Sequence, residues 1–83
     1  PEASRDVIDT MMNVKDVEIA VLFRQESESK IKISLRSKGR YEVLSLAELW
    51  GGGGHLYAAG ATLENSNFQD LRKKMENWIK KIV

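Results

Sequence analysis

The chain has 83 residues, no cysteine and a formal net charge of +1, from 13 Lys and Arg against 12 Asp and Glu. This length fits one domain rather than two, and the near balance of charge excludes polyanion binding over the whole surface, so phosphate recognition must be local. The absence of cysteine excludes disulfides, thiolate metal sites and a cysteine nucleophile, and it suits the reducing cytoplasm, where we expect the protein to act.

The first half of the chain predicts a helix followed by a β-hairpin. Ser4 is a candidate N-cap for the short first helix. Residues 17–24 predict a strand with apolar side chains on both faces, which favours a central place in the sheet. Residues 30–37 alternate apolar and polar side chains, and the polar turn before them favours antiparallel pairing. Arg24 then lies at the opposite end of the hairpin from Arg36, so these arginines are not expected to form one patch.

The second half predicts two helices on either side of a glycine-rich loop. Residues 43–50 predict a short helix, the run from Gly51 to His55 predicts a loop, and residues 61–63 predict a short strand. Ser66 and Gln69 predict a capping box at the start of an amphipathic terminal helix. The order of elements predicts an α+β domain (α/β layered) with a small mixed sheet that contains a β-hairpin and is flanked by helices.

The four consecutive glycines at residues 51–54 are the main candidate for a binding site. Such a run costs backbone entropy and contributes no packing, but it lets main-chain N–H groups converge on an anion. It matches neither a Walker A loop nor a dinucleotide fingerprint. The alternative is a flexible linker, against which the small residues Ala58, Ala59, Gly60 and Ala61 argue, because they favour close packing of the loop.

Other candidate ligand contacts stand near this run or at the end of the hairpin. His55 is the only histidine, and it could donate to a phosphate or cap the turn. Arg36 offers a planar fork suited to phosphate, although an exposed, solvated arginine is the alternative. Trp50 and Tyr57 could stack on a base, with a core position favoured for Trp50. No arrangement of a nucleophile and a base, and no set of metal ligands, is found, so no catalytic or metal-binding residue is predicted.

Three segments together resemble a known family. They are Ile-Ser-Leu-Arg-Ser at residues 33–37, the run Gly51–Gly54 with His55, and Ala-Ala-Gly-Ala at residues 58–61. In this combination they resemble the DHHA1 domain, the C-terminal module of DHH-family phosphoesterases, and most closely the nanoRNase type, which comprises bifunctional oligoribonucleases and phosphoadenosine-phosphate (pAp) phosphatases. The resemblance is strong over residues 17–63 and looser over the terminal helix. Trp50, where phenylalanine is expected, could reshape the floor of the pocket.

The resemblance implies that the chain, residues 1–83, is one domain of a longer protein. In such a protein an N-terminal DHH domain holds two Mn2+ ions and hydrolyses short oligoribonucleotides or pAp, while the DHHA1 domain grips the substrate. The chain alone is therefore expected to bind substrate, with no cofactor of its own, and not to catalyse. The family motifs assign substrate binding to Arg36, Ser37, Gly52, Gly53, Gly54 and His55.

Two alternatives to this interpretation stay open. Similar DHHA1 domains end alanyl-tRNA synthetases, where they contact tRNA, so the chain could be a nucleic-acid-binding module without a hydrolytic role. It could also form a homodimer through the apolar side of its terminal helix. No membrane partner is expected, since no apolar run approaches the roughly 20 residues that a spanning helix needs. The preferred substrate, whether short RNA, pAp, single-stranded DNA or a dinucleotide, is not set by the sequence.

Overall fold

The computed structural model describes residues 2–82, with side chains from residue 7 onward, and it contains three helices and four strands in that range. The elements are α1 (Glu2–Met12), β1 (Ile19–Gln25), β2 (Lys30–Ser37), α2 (Leu44–Leu49), β3 (Gly53–His55), β4 (Ala58–Glu64) and α3 (Phe68–Ile82). The helix α1 begins at Glu2, before the Ser4 that was predicted to cap it, and the side chain of Ser4 lies outside the described residues.

The sheet has the strand order β1-β2-β4-β3, and its three pairings are all antiparallel. The α+β class and the β-hairpin are confirmed, but the sheet is antiparallel where a mixed sheet was predicted. The reason is local: the β1–β2 and β3–β4 connections are short turns, which can join only antiparallel neighbours. The predicted loop also differs, because Gly53 to His55 form β3, and β4 begins three residues before the predicted strand.

One face of the sheet holds the hydrophobic core. The alternating residues Ile31, Ile33 and Leu35 of β2 are fully buried on this face. The helices α2 and α3 supply apolar side chains to the same cluster, among them Leu46 and Leu71. Burying a leucine or isoleucine side chain stabilises the fold by about 1.5–3 kcal/mol, so this face fixes the positions of β2 and β4.

On the other face α1 packs on β1 and, less extensively, on β2. Ile8 of α1 and Ala20 of β1 are both buried, with exposures of 1% and 2%. This cover explains the apolar residues on both faces of β1. The prediction that β1 is a central strand is wrong, because β1 is an edge strand whose second apolar face is buried by a helix rather than by a sheet neighbour.

The terminal helix α3 begins at Phe68, and its N-cap is Asn67 rather than the predicted capping box of Ser66 and Gln69. The Asn67 Oδ1 atom accepts a hydrogen bond of 2.9 Å from the backbone N–H of Asp70. The Ser66 hydroxyl instead donates to the carbonyl of Glu64, at 3.4 Å. The predicted amphipathic pattern is confirmed, since Leu71 and Met75 are buried against the sheet.

Candidate functional site

The part of the sheet that α1 leaves uncovered forms a shallow depression, called here the sheet-face depression. Its walls carry three cations, its floor consists of small residues and strand backbone, and Ile8 and Leu22 close it on the α1 side. The lining residues are Ile8, Leu22, Arg24, Lys32, Ile33, Ser34, Arg36, Gly53, Gly54, Ala58, Ala59 and Gly60. Among the side chains of residues 7–82, no acidic one lines it, so this part of the chain offers a depression suited to an anion.

The arginine of the Arg-Ser motif lines this depression with its charge unneutralised. Arg36 is half-buried, and its Nη1 atom donates to the carbonyl of Leu35 at 3.1 Å. Within residues 7–82 no carboxylate lies within ion-pair distance of Arg36. A guanidinium has five N–H donors, so most of the donor capacity of Arg36 remains available to a ligand.

The other two cations of the depression differ from each other. Arg24 donates to Glu26 at 2.7 Å, and this hydrogen bond lowers the pKa of the Glu26 carboxyl. Lys32 is exposed, lies opposite Arg24 in the sheet and makes no ion pair with the described part of the chain. The Glu26 carboxylate therefore offsets mainly the charge of Arg24 and also attracts Lys32, which adds a positive charge at that end without an ion pair among the described residues.

The floor of the depression is formed by strand backbone, because glycines that lack side chains face each other across two strands. Gly60 of β4 is paired with Gly53 on one side and with Ser34 on the other. At Gly60 an added Cβ would lie 2.8 Å from the carbonyl oxygen of Ile33. Of the three residues Ser34, Gly60 and Gly53, which lie side by side across the sheet, only Ser34 has a side chain, and it is small. A ligand can therefore approach the strand backbone closely.

The N–H groups of the four glycines serve two purposes. Those of Gly51 and Gly52 end the helix α2, donating to the carbonyls of Glu48 at 3.0 Å and Ala47 at 2.7 Å. Those of Gly53 and Gly54 belong to β3, the strand at the edge of the sheet. The predicted convergence of N–H groups along the whole run is thus limited to its second half, since the first half is used within the fold.

The edge position of β3 leaves a main-chain donor available. The carbonyl oxygen of Ala58 lies 2.6 Å from where a Cβ would stand at Gly54, so this oxygen faces β3. Antiparallel strands alternate between residues that bond to the partner and residues that point away from it. With Ala58 facing His55 and Gly60 facing Gly53, the alternation directs the N–H of Gly54 to the open edge, where sheet edges bind anions.

His55 and Arg36 lie on the same face of the sheet, on either side of Ala58. The register pairs Arg36 with Ala58 and Ala58 with His55. Residues opposite each other share a face, and two strand spacings separate the two Cα atoms by about 10 Å. His55 is exposed beside the depression rather than in its lining, so an anion seated over Ala58 would have a cation and an imidazole as flanking groups.

The remaining predicted site residues lie outside the lining of the depression. The Ser37 Oγ atom accepts a hydrogen bond from the N–H of Gly39 at 3.2 Å. Ser37 lies two residues after Leu35 on the strand, so it faces the core side of the sheet and not the depression. Gly52 packs against the backbone of Gly60 and the side chain of Ala61. A role of these two residues in ligand binding stays a prediction, and what the structure gives each of them is a role within the fold.

The two aromatic residues near the glycines lie away from the depression. Trp50 packs against the core cluster, between α2 and α3, on the opposite side of the sheet. The prediction that Trp50 could reshape the floor of the pocket is therefore wrong. Tyr57 is exposed at the β3–β4 turn, in a separate hollow that Tyr41 and Trp78 also line. Neither ring reaches the lining of the depression.

Of the residues that line the depression, the sequence interpretation assigned only Arg36, Gly53 and Gly54 to the site. Lys32, Ser34 and Gly60 line the floor and wall, and Arg24 stands with Lys32 at the end opposite Arg36. Arg24 and Arg36 lie at opposite ends of the hairpin, as predicted, although both line the same elongated depression. The signal was present in the alternation of β2, which directs Lys32, Ser34 and Arg36 to one face.

Among the residues that the structure describes, no group of three or more His, Cys, Asp or Glu side chains is arranged to hold a metal ion. None of the described helices has both the length and the apolar character needed to cross a membrane.

Comparison with known proteins places the depression in a family context. The DHHA1 domain family matches residues 1–81. The chain is 38% identical over 74 residues to the bifunctional oligoribonuclease and PAP phosphatase NrnA of Thermus thermophilus, covering 89% of this chain and 22% of that protein. Over 76 residues it is 33% identical to the protein of the same name from Mycoplasma genitalium, covering 92% of this chain and 23% of that protein.

A third relative has a different name. The chain is 31% identical over 74 residues to a membrane protein–large ribosomal subunit bL9 fusion protein of Onion yellows phytoplasma, covering 89% of this chain and 9% of that protein. The chain thus spans less than a quarter of the length of each of these three relatives.

Proposed function

The chain belongs to the DHHA1 domain family, and from this we propose that it is the substrate-binding domain of a DHH-family phosphoesterase that acts on short oligoribonucleotides or on pAp. The observation on which this rests most is the state of Arg36. It is half-buried at the wall of a glycine-floored depression, and no carboxylate of the described residues neutralises it. A partly desolvated guanidinium without a counter-ion favours a bound anion strongly.

We propose that the phosphate sits over Ala58, between Arg36 and His55. Arg36 would contact it with its planar fork, His55 would donate a ring N–H, and Gly54 would supply a main-chain N–H from the edge of the sheet. Two or three such charge-assisted hydrogen bonds contribute roughly 1.5–3 kcal/mol each. An association cost of about 4 kcal/mol or more opposes them, so the isolated chain would bind in the millimolar to high-micromolar range.

The chemistry of hydrolysis is assigned, in this proposal, to a DHH domain in another part of the parent protein. Manganese ions held there would supply the Lewis-acid activation of the phosphate. The residues of the present chain would contribute binding and orientation: Arg36 and the glycine floor hold the substrate so that the scissile phosphate faces the metal domain. Positioning of this kind accelerates a reaction because the substrate is already held in the reactive geometry, so the entropy cost of bringing the reacting groups together is met on binding. We propose the cytoplasm as the site of action.

The oligomeric state is a separate matter from substrate binding. The apolar side of α3 was the candidate dimer surface, but Leu71 and Met75 on that side are already buried against the sheet of the same chain. Phe68 and Ile79 remain partly exposed at 43% and 38%. The mass of the chain in solution, measured by light scattering, decides whether these residues support a homodimer.

An NMR titration of the chain tests the proposed function. We expect pAp and a short RNA to shift the amide signals of Gly53, Gly54 and His55 and the Nε–H signal of Arg36. The lysines Lys74 and Lys81 on α3 serve as the internal control, because they are exposed cations away from the depression. Shifts confined to α3, or absent from the depression, would contradict the proposal.

The same titration with a longer RNA tests the alternative that the chain is a nucleic-acid-binding module without a hydrolytic role. A tRNA that binds far more tightly than pAp, through contacts outside the depression, would favour a nucleic-acid-binding module without a hydrolytic partner. The proposal instead requires that pAp and short RNA compete for one site. Competition is measured by adding pAp to the chain saturated with RNA and following the signal of Arg36.

A further inference from the structure

We propose that a groove between α2 and α3 binds an acidic amphipathic helix of a partner protein. This groove, called here the α2–α3 groove, lies on the opposite side of the sheet from the sheet-face depression. The inference is therefore independent of the proposed function and goes beyond it. The side chains that carry it are Leu49, Trp50, Lys74, Asn77, Trp78 and Lys81, which all line the groove.

The apolar part of the groove is open to solvent although it adjoins the core. Trp50 and Trp78 pack against the core cluster and are only partly buried. Leu49, beside them, is 76% exposed, which makes it the most exposed large apolar side chain among residues 7–82. Tryptophan is enriched at the sites that dominate the energy of protein interfaces. Two half-buried tryptophans beside a protruding leucine thus form an apolar surface of the kind that proteins bind.

The spacing of the side chains on α3 indicates that the occupant is a helix. At positions i, i+3, i+4 and i+7 this helix presents Lys74, Asn77, Trp78 and Lys81 to the groove. Residues at this spacing form one stripe along a helix, and such a stripe packs against the matching stripe of a second helix. Leu49 on α2 contributes to the other wall. A helix laid between the two walls contacts α2 and α3 together.

The charge of the groove indicates that the bound helix is acidic. Lys74 and Lys81 are two helical turns apart, or about 10 Å, and both are exposed. Within residues 7–82 neither makes an ion pair, and no acidic side chain of these residues lines the groove. The dipole of α3 favours lysines in its last turn, which accounts for Lys81 but not for Lys74. Carboxylates two turns apart on a partner helix would face both ammonium groups.

A second copy of this chain fits the groove less well than an acidic partner does. Residues 73–82 of α3 carry four lysines and one glutamate. Two copies that met along this helix would therefore bring like charges together, which opposes association. A domain that closed over the depression would lie on the other side of the sheet and would leave the groove open. Charge complementarity thus favours an acidic segment of a partner protein.

The two tryptophans provide a direct measurement of occupancy. Trp50 and Trp78 are the only tryptophans of the chain, and both line the groove. The probe is a designed peptide of about 18 residues, long enough to form a helix. It has leucines at i, i+3, i+4 and i+7, glutamates on both flanks and no aromatic residue. We expect it to change the tryptophan emission with a dissociation constant in the micromolar range, and the same peptide with lysine for every glutamate to bind at least tenfold more weakly.

Two double substitutions on α3 separate the groove from the rest of the helix surface. Lys74→Glu with Lys81→Glu should weaken the acidic peptide at least tenfold and strengthen binding of the lysine peptide. Lys73→Glu with Lys80→Glu is the matched control, because it has the same spacing and the same change of charge but lies outside the lining of the groove. At physiological salt the control should stay within about threefold of the wild type. All four lysines are exposed, so both variants should give the amide spectrum of the folded chain.

A pair of leucine substitutions tests the apolar contact. Leu49→Ala should weaken the acidic peptide roughly tenfold, because a side chain that the partner buries is lost. Leu56→Ala is the control, since Leu56 is 46% exposed at the β3–β4 turn and lies outside the lining of the groove. It should leave the affinity for the peptide unchanged. Equal effects of the two substitutions would contradict a contact with Leu49.

The remaining outcomes identify other occupants or exclude the groove. Absence of binding by the acidic peptide, or equal binding of the acidic and lysine peptides, overturns the inference. It is also overturned if Lys73→Glu with Lys80→Glu acts like the groove variant. Anionic lipid vesicles that change the tryptophan emission where the peptide does not would assign the surface to a membrane. A dimer, detected by light scattering and lost in Leu49→Ala, would assign it to a second copy. None of these results affects the titration with pAp, which reports on the other side of the sheet.

Discussion

Gly52 and Gly53 are adjacent in the run at residues 51–54, but the space around them differs, so the lack of a side chain has a different consequence at each. At Gly52 an added Cβ would overlap the carbonyl oxygen of Gly60 and stand 2.7 Å from the Cα atom of Ala61, both of them backbone atoms that cannot rotate away. At Gly53 an added Cβ would meet nothing within 4 Å. The absence of a side chain is therefore required for packing at Gly52, whereas at Gly53 it keeps the depression open.

This contrast predicts opposite effects of two alanine substitutions. Gly52→Ala should lower the free energy of unfolding by more than about 2 kcal/mol, because β4 must move to admit the methyl group. Gly53→Ala should change it by less than about 0.5 kcal/mol, as at other open surface positions, and should weaken pAp binding because the methyl group stands on the floor. Urea denaturation and the NMR titration measure the two effects. Equal stabilities of the two variants would mean that Gly52 does not contact β4.

At the scale of the element, the start of α3 shows how a capping signal can shift by one residue. Ser66 and Asn67 are both good N-cap residues, and the sequence favours Ser66 because Gln69 follows three positions later. In the structure Asn67 accepts the hydrogen bond from Asp70, and Asp70 itself occupies the first turn, where a negative charge interacts favourably with the helix dipole. The choice depends on where β4 ends and the chain turns, which no local pattern specifies.

The cap assignment predicts that Asn67→Ala lowers the free energy of unfolding by about 1 kcal/mol, within the usual range for the loss of an N-cap side chain. Ser66→Ala is the matched control and should cost no more than a few tenths of that, since its hydroxyl makes only the 3.4 Å contact with Glu64. Thermal or urea unfolding of both variants gives the comparison. A larger loss in Ser66→Ala would restore the capping box as the correct assignment.

The elements that the sequence predicted well are those whose own side chains determine them. The strand β2 was predicted to the residue because its alternation is strict, and α2 was predicted within one residue at each end. The place of β1 and the existence of β3 were missed because each depends on another element. The helix α1 covers the second face of β1, and β4 offers the carbonyls that draw Gly53 to His55 into the sheet.

The candidate site was predictable to a similar extent. Arg36, Gly53 and Gly54 were predicted for the site and line the depression, because the family motifs that assign them also occupy strands that meet there. Lys32 and Ser34 were missed since no motif includes them, although the alternation of β2 directs them to the same face as Arg36. A site formed by the register of three strands requires the pairing of β2 with β4, and one sequence alone does not supply that register.

At the scale of the whole molecule, the two faces of the sheet differ in how they are covered. The core face lies under α2 and α3, while on the other face α1 packs on β1 and, less extensively, on β2. What remains open on that face among the described residues is the cationic depression. The relatives are about four times as long as this chain. An open binding face on a short domain is the arrangement expected if a second domain closes over the substrate.

The proposed division of labour between this domain and a metal-binding domain predicts how a substitution in the depression acts in a full-length protein. Arg36→Ala should lower turnover of pAp or short RNA about 100-fold, because a misplaced scissile phosphate loses its alignment with the metal domain. The content of bound manganese should remain that of the wild type, since Arg36 is assigned to substrate and not to metal. Turnover and metal content are measured on the same preparation, with Lys74→Ala as the control for a lost charge outside the depression. Loss of manganese in Arg36→Ala, or unchanged turnover, would contradict the separation of binding from chemistry between the two domains.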